Sequence, residues 1–180
     1  MKRFSVSFLL LITALHADVS QKLFSLYQNG MYAQGCDYGH KFFPQYKHNE
    51  PFVSLVGFSC LKADQIDRLA PLAASLHESP EGRANSAYFS LLLMQKKLLM
   101  QALYDNKPIL NLKLPTSSHL LSRVFELYLK NPKAGDLIKE YQDPLNPRQS
   151  YRLYTTETNG RKSLAIDEYY DRILTIHHVY

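Results

Sequence analysis

Residues 151–167 read Tyr151-Arg152-Leu153-Tyr154-Thr155-Thr156-Glu157-Thr158-Asn159-Gly160-Arg161-Lys162-Ser163-Leu164-Ala165-Ile166-Asp167. Tyr151 to Glu157 alternates in polarity and is rich in Tyr and Thr, the pattern of a half-buried strand. Asn159-Gly160 is a two-residue hairpin signal, because both residues accept the positive φ of a tight hairpin turn. Folding the chain there sets a register. Leu153 falls opposite Ile166 and Thr155 opposite Leu164, while Arg152 meets Asp167 and Glu157 meets Lys162 near the turn. One face is then apolar and the other charge-paired, as a half-buried antiparallel sheet needs. A third strand from Ile173 to Val179 follows, and a three-residue turn before it would set Ile176 beside Ile166. A helix from Ser163 to about His177 competes for the same residues. The β-branched content and the Asn-Gly pair favour strands.

Upstream, residues 107–115 hold two prolines and read as a connector. Thr116-Ser117-Ser118 offer hydroxyl caps for a helix to about Lys130. Leu120, Leu121, Val124, Phe125, Leu127 and Tyr128 give that helix a wide apolar face. Asn131-Pro132 ends it. A shorter helix around Asp136 to Tyr141 is expected next, before Asp143-Pro144-Leu145-Asn146-Pro147 stops helical structure.

The N-terminal half changes period. Leu23, Gly57 and Leu91 are spaced by 34 residues, as are Gly35, Leu69 and Leu103. The middle unit runs Val53-x2-Val56-Gly57-x2-Cys60, then Leu69-x3-Ala73-x2-Leu76, with Pro80 closing it. These spacings suit two amphipathic helices broken near Ala63-Asp64 and packed antiparallel. Gly57, lacking a side chain, would let the second helix approach closely. Gly30-Met31-Tyr32 reads as the turn of an earlier pair. A third unit, from about Ala84 to Tyr104, is cut short by Asn106-Lys107-Pro108.

Over roughly residues 19–105 this pattern resembles the tetratricopeptide repeat family. Gly57 matches the family's glycine. Val53 and Cys60 stand where aromatics are usual, Leu69 replaces a small residue, Ala73 replaces an aromatic, and Pro80 sits one place early. The resemblance implies a concave protein- or peptide-binding groove lined by first-helix residues: Tyr27, Phe58, Leu61, Lys62, Tyr88 and Gln95. A groove filled by the chain's own C-terminal segment is the alternative.

Met1-Lys2-Arg3 followed by an apolar stretch from Phe4 to Ala14 and a small residue at Ala17 reads as a secretory signal over residues 1–17. The stretch is shorter than the roughly 20 apolar residues a bilayer span needs, so no stable membrane span is expected after cleavage. The whole chain carries a formal charge of +5, and losing Lys2 and Arg3 leaves +3. The remaining cations are scattered, which argues against a nucleic-acid partner. Cys36 and Cys60 are the only cysteines. An even count in an exported chain suggests one disulfide, closing a loop of about 25 residues worth roughly 3–4 kcal/mol. Two separate buried thiols are the alternative.

Chemistry-bearing patterns are sparse. Cys36 and His40 lie four apart on one helix face and, with Cys60, could form a nucleophile or part of a zinc site. The sequence has no CxxC, HExxH, phosphate loop or nucleophile elbow. His177 and His178 are adjacent in a strand and so point to opposite faces. The expectation is an α+β chain: signal peptide 1–17, repeat-like helix pairs 18–105, connector and further helices 106–149, and an antiparallel sheet 150–180. Its expected role is that of a non-catalytic, cofactor-free scaffold or assembly factor, exported to the bacterial periplasm to bind an envelope protein or peptide. A small enzyme or metal protein built on Cys36 and His40 is the competing expectation.

Overall fold

The computed structural model describes residues 19–109, 111–133 and 135–180. The expected signal segment lies outside them. The described chain is α+β, with helices first and a four-stranded antiparallel sheet last. It divides into two compact units, one ending at Phe89 and one starting at Ser90.

In the first unit, α1 (residues 19–28) ends at Gly30, whose φ of 71° suits a residue without Cβ. Helices α2 (Tyr32–Tyr46) and α3 (Glu50–Lys62) follow, then a 3₁₀ turn (Ile66–Arg68) and the short α4 (Leu69–Ser75). The break after α3 falls at Ala63-Asp64, where expected, with Asp64 at φ 60°. Helix α5 (Pro80–Tyr104) is one unbroken helix that begins in this unit. Helices α2 and α3 meet through bare backbone. A Cβ on Gly39 would lie 2.7 Å from Val56 Cγ1, and one on Gly35 would lie 3.1 Å from Ser59 Oγ. From Gly35–Ser59 and Cys36–Cys60 to Gly39–Val56 the partner in α3 falls back as α2 advances, so the two helices run antiparallel. Helices α3 and α5 run parallel, since Glu50 lies against Gly82, Asn85 donates to Ser54 at 2.9 Å, and Phe89 lies against Gly57. The space left by Gly57 is thus filled by the Phe89 ring. The expected second helix of that repeat unit, which became α4, does not occupy it.

The start of α5 shows how α3 holds it. Ser79 caps the helix, its hydroxyl accepting from Gly82 N–H at 2.9 Å, and Pro80 occupies the first helical position. Three more amide N–H groups, of His77, Glu78 and Ser79, donate to the buried carboxylate of Glu50 at 2.6, 2.7 and 2.8 Å. Hydrogen bonding, first from the Ser79 side chain and then from these amides, holds the Glu50 carboxyl down at about 2. A depressed carboxyl contributes stability above its ordinary value near 4.5, and that contribution is lost as pH falls through about 2. E50Q is therefore expected to be less stable than the parent at neutral pH, with the gap closing between pH 4.5 and 2. Thermal melts of both proteins across that range check this; parallel curves would refute it.

In the second unit, α6 (Leu120–Lys130) buries Leu121, Val124, Phe125 and Tyr128, an i, i+3, i+4, i+7 face. Its cap is the imidazole of His119, which accepts from Leu121 N–H at 3.2 Å, in place of the expected hydroxyls. Ser117 instead donates its own N–H to the Ser122 hydroxyl. The described residues of the connector, 105–119, contain no strand.

The sheet order is β1-β2-β3-β4, with β1 Lys139–Gln142, β2 Gln149–Thr158, β3 Arg161–Tyr170 and β4 Ile173–Val179. The β2–β3 register is the one the Asn-Gly turn sets: Leu153 faces Ile166, Thr155 faces Leu164, Arg152 faces Asp167 and Glu157 faces Lys162. Two expectations fail nearby. The helix expected over Asp136–Tyr141 is replaced by β1, because alternate residues Lys139 and Tyr141 are buried and β2 offers a full ladder. The Lys139 ammonium is accommodated by the carbonyls of Lys133 and Asp136 at 2.6 and 3.0 Å. The third strand is also shifted. Ile166 faces His178, and Ile176 faces Glu168. The β3–β4 turn has two residues, Asp171 and Arg172, both at positive φ, and a bulge between Glu168 and Tyr169 adds one more step.

Candidate functional site

Strand β4 forms one edge of the sheet and pairs only with β3. Its outer backbone groups are therefore open to another strand. The sequence Ile173-Leu174-Thr175-Ile176-His177-His178-Val179 contains no Lys, Arg, Asp, Glu or Pro, so the usual guards of an edge are missing. Its apolar side chains are also uncovered: Ile173 is 69% exposed, Leu174 51%, Ile176 50% and Val179 41%. The opposite edge, β1, is four residues long and carries Lys139 and Glu140. The two edges thus differ in length, charge and apolar exposure.

The two histidines of β4 point to opposite faces, as expected. His177 Nδ1 bonds Asp167 Oδ1 at 2.6 Å, and the Tyr154 hydroxyl donates to the same carboxylate at 3.2 Å. His178 Nε2 lies 3.1 Å from Glu168 Oε1 and stacks on Tyr180. The expected Arg152–Asp167 ion pair does not form, although their Cα atoms are partners. Arg152 instead donates to Glu140 at 2.7 Å and lies over the Tyr169 ring, because β1 brings a carboxylate within closer reach. Asp167 is left to His177 and Tyr154.

The residues expected to line a groove are distributed unevenly. Phe58 and Tyr88 are half-buried, with ring centroids 6.4 Å apart, and both contact the buried Phe89. Lys62 is exposed, whereas Leu61 is 5% exposed. Tyr27 packs edge-on against Tyr32. Gln95 belongs to the second unit, where it is fully buried and donates to the Pro115 carbonyl at 3.2 Å.

Cys36 and Cys60 form a disulfide between α2 and α3, with Cα atoms 4.7 Å apart. The close approach at Gly35 and Gly39 is what brings the two sulfurs together. His40, one turn beyond Cys36, completes a cluster whose three ligand atoms lie within 4.8 Å of one another. Its Nε2 is buried without a hydrogen-bond partner. Burial, followed by the nearby Arg68 guanidinium, lowers the His40 pKa.

Sequence reasoning missed several groups. Asp143 gathers Arg123 Nη2 at 2.7 Å, the Tyr151 hydroxyl at 2.8 Å and Leu145 N–H at 2.8 Å. Its neighbours Pro144 and Asn146 suggested only a chain break. Glu50 was equally silent, since its partners are 27 to 29 residues away. No described helix is long and apolar enough to cross a membrane. No family model matches the chain, and no curated protein or solved structure matches it.

Proposed function

We propose that this chain is a non-catalytic protein-binding protein, exported to the bacterial envelope, that takes an extended segment of a partner polypeptide as a fifth strand on β4. One observation carries the reading: the outer strand of the sheet has no Lys, Arg, Asp, Glu or Pro and leaves Ile173, Leu174, Ile176 and Val179 exposed. Such an edge gives affinity through backbone hydrogen bonds and selectivity through alternate side chains. The partner segment would be extended, apolar at alternate positions and free of proline at its donor positions. The disulfide is compatible with an oxidising compartment. In this reading the helices serve mainly as scaffold, because Leu61 and Gln95 offer almost no surface.

The double variant I173K/I176K places charges on the edge, as natural sheets do to block pairing. Both positions are exposed, so the fold is expected to keep its melting temperature. Each lost strand-to-strand hydrogen bond is worth about 0.5–1.5 kcal/mol, so losing two or more should weaken capture at least about fivefold. Cross-linking in the native envelope, followed by mass spectrometry, reads this out. A folded double variant that captures every partner of the parent would refute the assignment.

A further inference from the structure

Cys36, His40 and Cys60 converge at one point of the α2–α3 interface. Each is placed by a different feature. Cys36 and His40 share a face of α2 because they are four residues apart. Cys60 comes within reach because glycines 35 and 39 let α3 approach the α2 backbone. The Nε2 of His40 is buried and has no hydrogen-bond partner. An unpartnered buried nitrogen costs free energy unless it has some use, and the disulfide gives it none.

We propose that reducing the Cys36–Cys60 bond converts this point into a metal site, in which two thiolates and the His40 imidazole hold one zinc-class dication. The step balances as follows. A dithiol reductant delivers two electrons and two protons, its own sulfurs join as a disulfide, and the S–S bond of this chain breaks to two thiols. The dication then displaces both thiol protons to solvent and takes the imidazole lone pair. A tetrahedral zinc with bonds of about 2.3 Å to sulfur and about 2.0 Å to nitrogen spaces its ligand atoms by roughly 3.5–3.8 Å. The three ligand atoms lie within 4.8 Å of one another, so the site needs the two sulfurs to part once their bond is broken and His40 to close on them. Three protein ligands leave the fourth position to water or an outside donor. Metal and disulfide thus exclude each other, and a chain that has not yet been oxidised carries the site.

The test uses the full chain with cobalt(II) as a spectroscopic stand-in for zinc. After reduction by a phosphine, which does not itself bind cobalt strongly, one cobalt per chain is expected, with thiolate-to-cobalt charge-transfer absorption. The oxidised chain should show none. Zinc should displace the cobalt and protect both cysteines from alkylation. H40A should retain thiols but bind at least about tenfold more weakly. If reduction loosens the first unit, zinc should raise its melting temperature, and H40A should blunt that rise. Absence of the absorption in the reduced chain, with no zinc-dependent rise in melting temperature, overturns the proposal. So does H40A binding as tightly as the parent.

Discussion

D143A is expected to lower the stability of the second unit by about 3 kcal/mol, the lower end of what breaking a buried charged pair costs. The carboxylate meets three different donors: the guanidinium of Arg123 on α6, the hydroxyl of Tyr151 on β2, and the amide of Leu145. The Asp143 side chain is 9% exposed and that of Arg123 is 22%. Removing the acid therefore strands a phenol that water reaches poorly and leaves the guanidinium only the looser pair with Glu126 Oε2 at 3.5 Å. The lower end applies because the guanidinium keeps some solvent. The Arg123 guanidinium first, with the amide and phenol after it, holds the Asp143 carboxyl down at about 2, against an ordinary 3.8. A depressed carboxyl stabilises above its ordinary value and stops doing so as pH falls through the lowered one. The parent should therefore lose stability between pH 4 and 2, and D143A should lose less there. Urea denaturation at stepped pH measures both effects. A variant as stable as the parent at neutral pH would show that the trio is not a unit.

F89A is expected to cost the first unit about 3–5 kcal/mol, the usual range for emptying a buried phenyl site. Phe89 is fully buried, edge-on to Phe58 with centroids 5.3 Å apart, and its ring covers the bare backbone of Gly57. The neighbour facing the new void is a glycine, so no side chain there can swing in to fill it. The reverse change supplies the control. A Cβ at Gly57 would lie 3.1 Å from Phe89 Cδ2 and closer still to Cε2 and Cζ. G57A should therefore destabilise by about 1–3 kcal/mol through overpacking, partly offset by the roughly 1 kcal/mol that alanine gains over glycine in a helix. In the F89A background the clash is gone and only the propensity gain remains, so G57A should become neutral or stabilising. Additive effects of the two changes would show that ring and glycine do not meet.

How much of this was legible depended on the range over which each residue acts. The β2–β3 hairpin could be read to the residue, because a period of two and a turn demanding positive φ are both local. The disulfide was legible from cysteine number and expected compartment. Strand β1 was not, since Lys139-Glu140-Tyr141-Gln142 is short and polar and becomes a strand only by pairing with β2. The β3–β4 register failed for a related reason: Asp171-Arg172 carries no glycine to mark a two-residue turn. Gly57 was correctly read as a point of close approach, but the group approaching it lies 32 residues away, and spacing alone pointed to the wrong one. The exposure of β4 could not be read at all, because which strand lies outermost follows from the order of the whole sheet.

The Asp171-Arg172 turn bears on how firmly that outer strand is held. Left-handed backbone at a residue other than glycine costs on the order of 1–2 kcal/mol, and here two such residues stand in succession, at φ 49° and 67°. Arg148, the residue just before β2, offsets part of this by gripping the Asp171 carboxylate, while Asp171 N–H donates to the Arg148 carbonyl at 2.8 Å. The remainder is carried as strain in the turn that leads into β4, one of the sheet's two edge strands. Local opening free energies differ across a fold. In the proposed reading, the strand that would take a partner is one whose own turn carries strain.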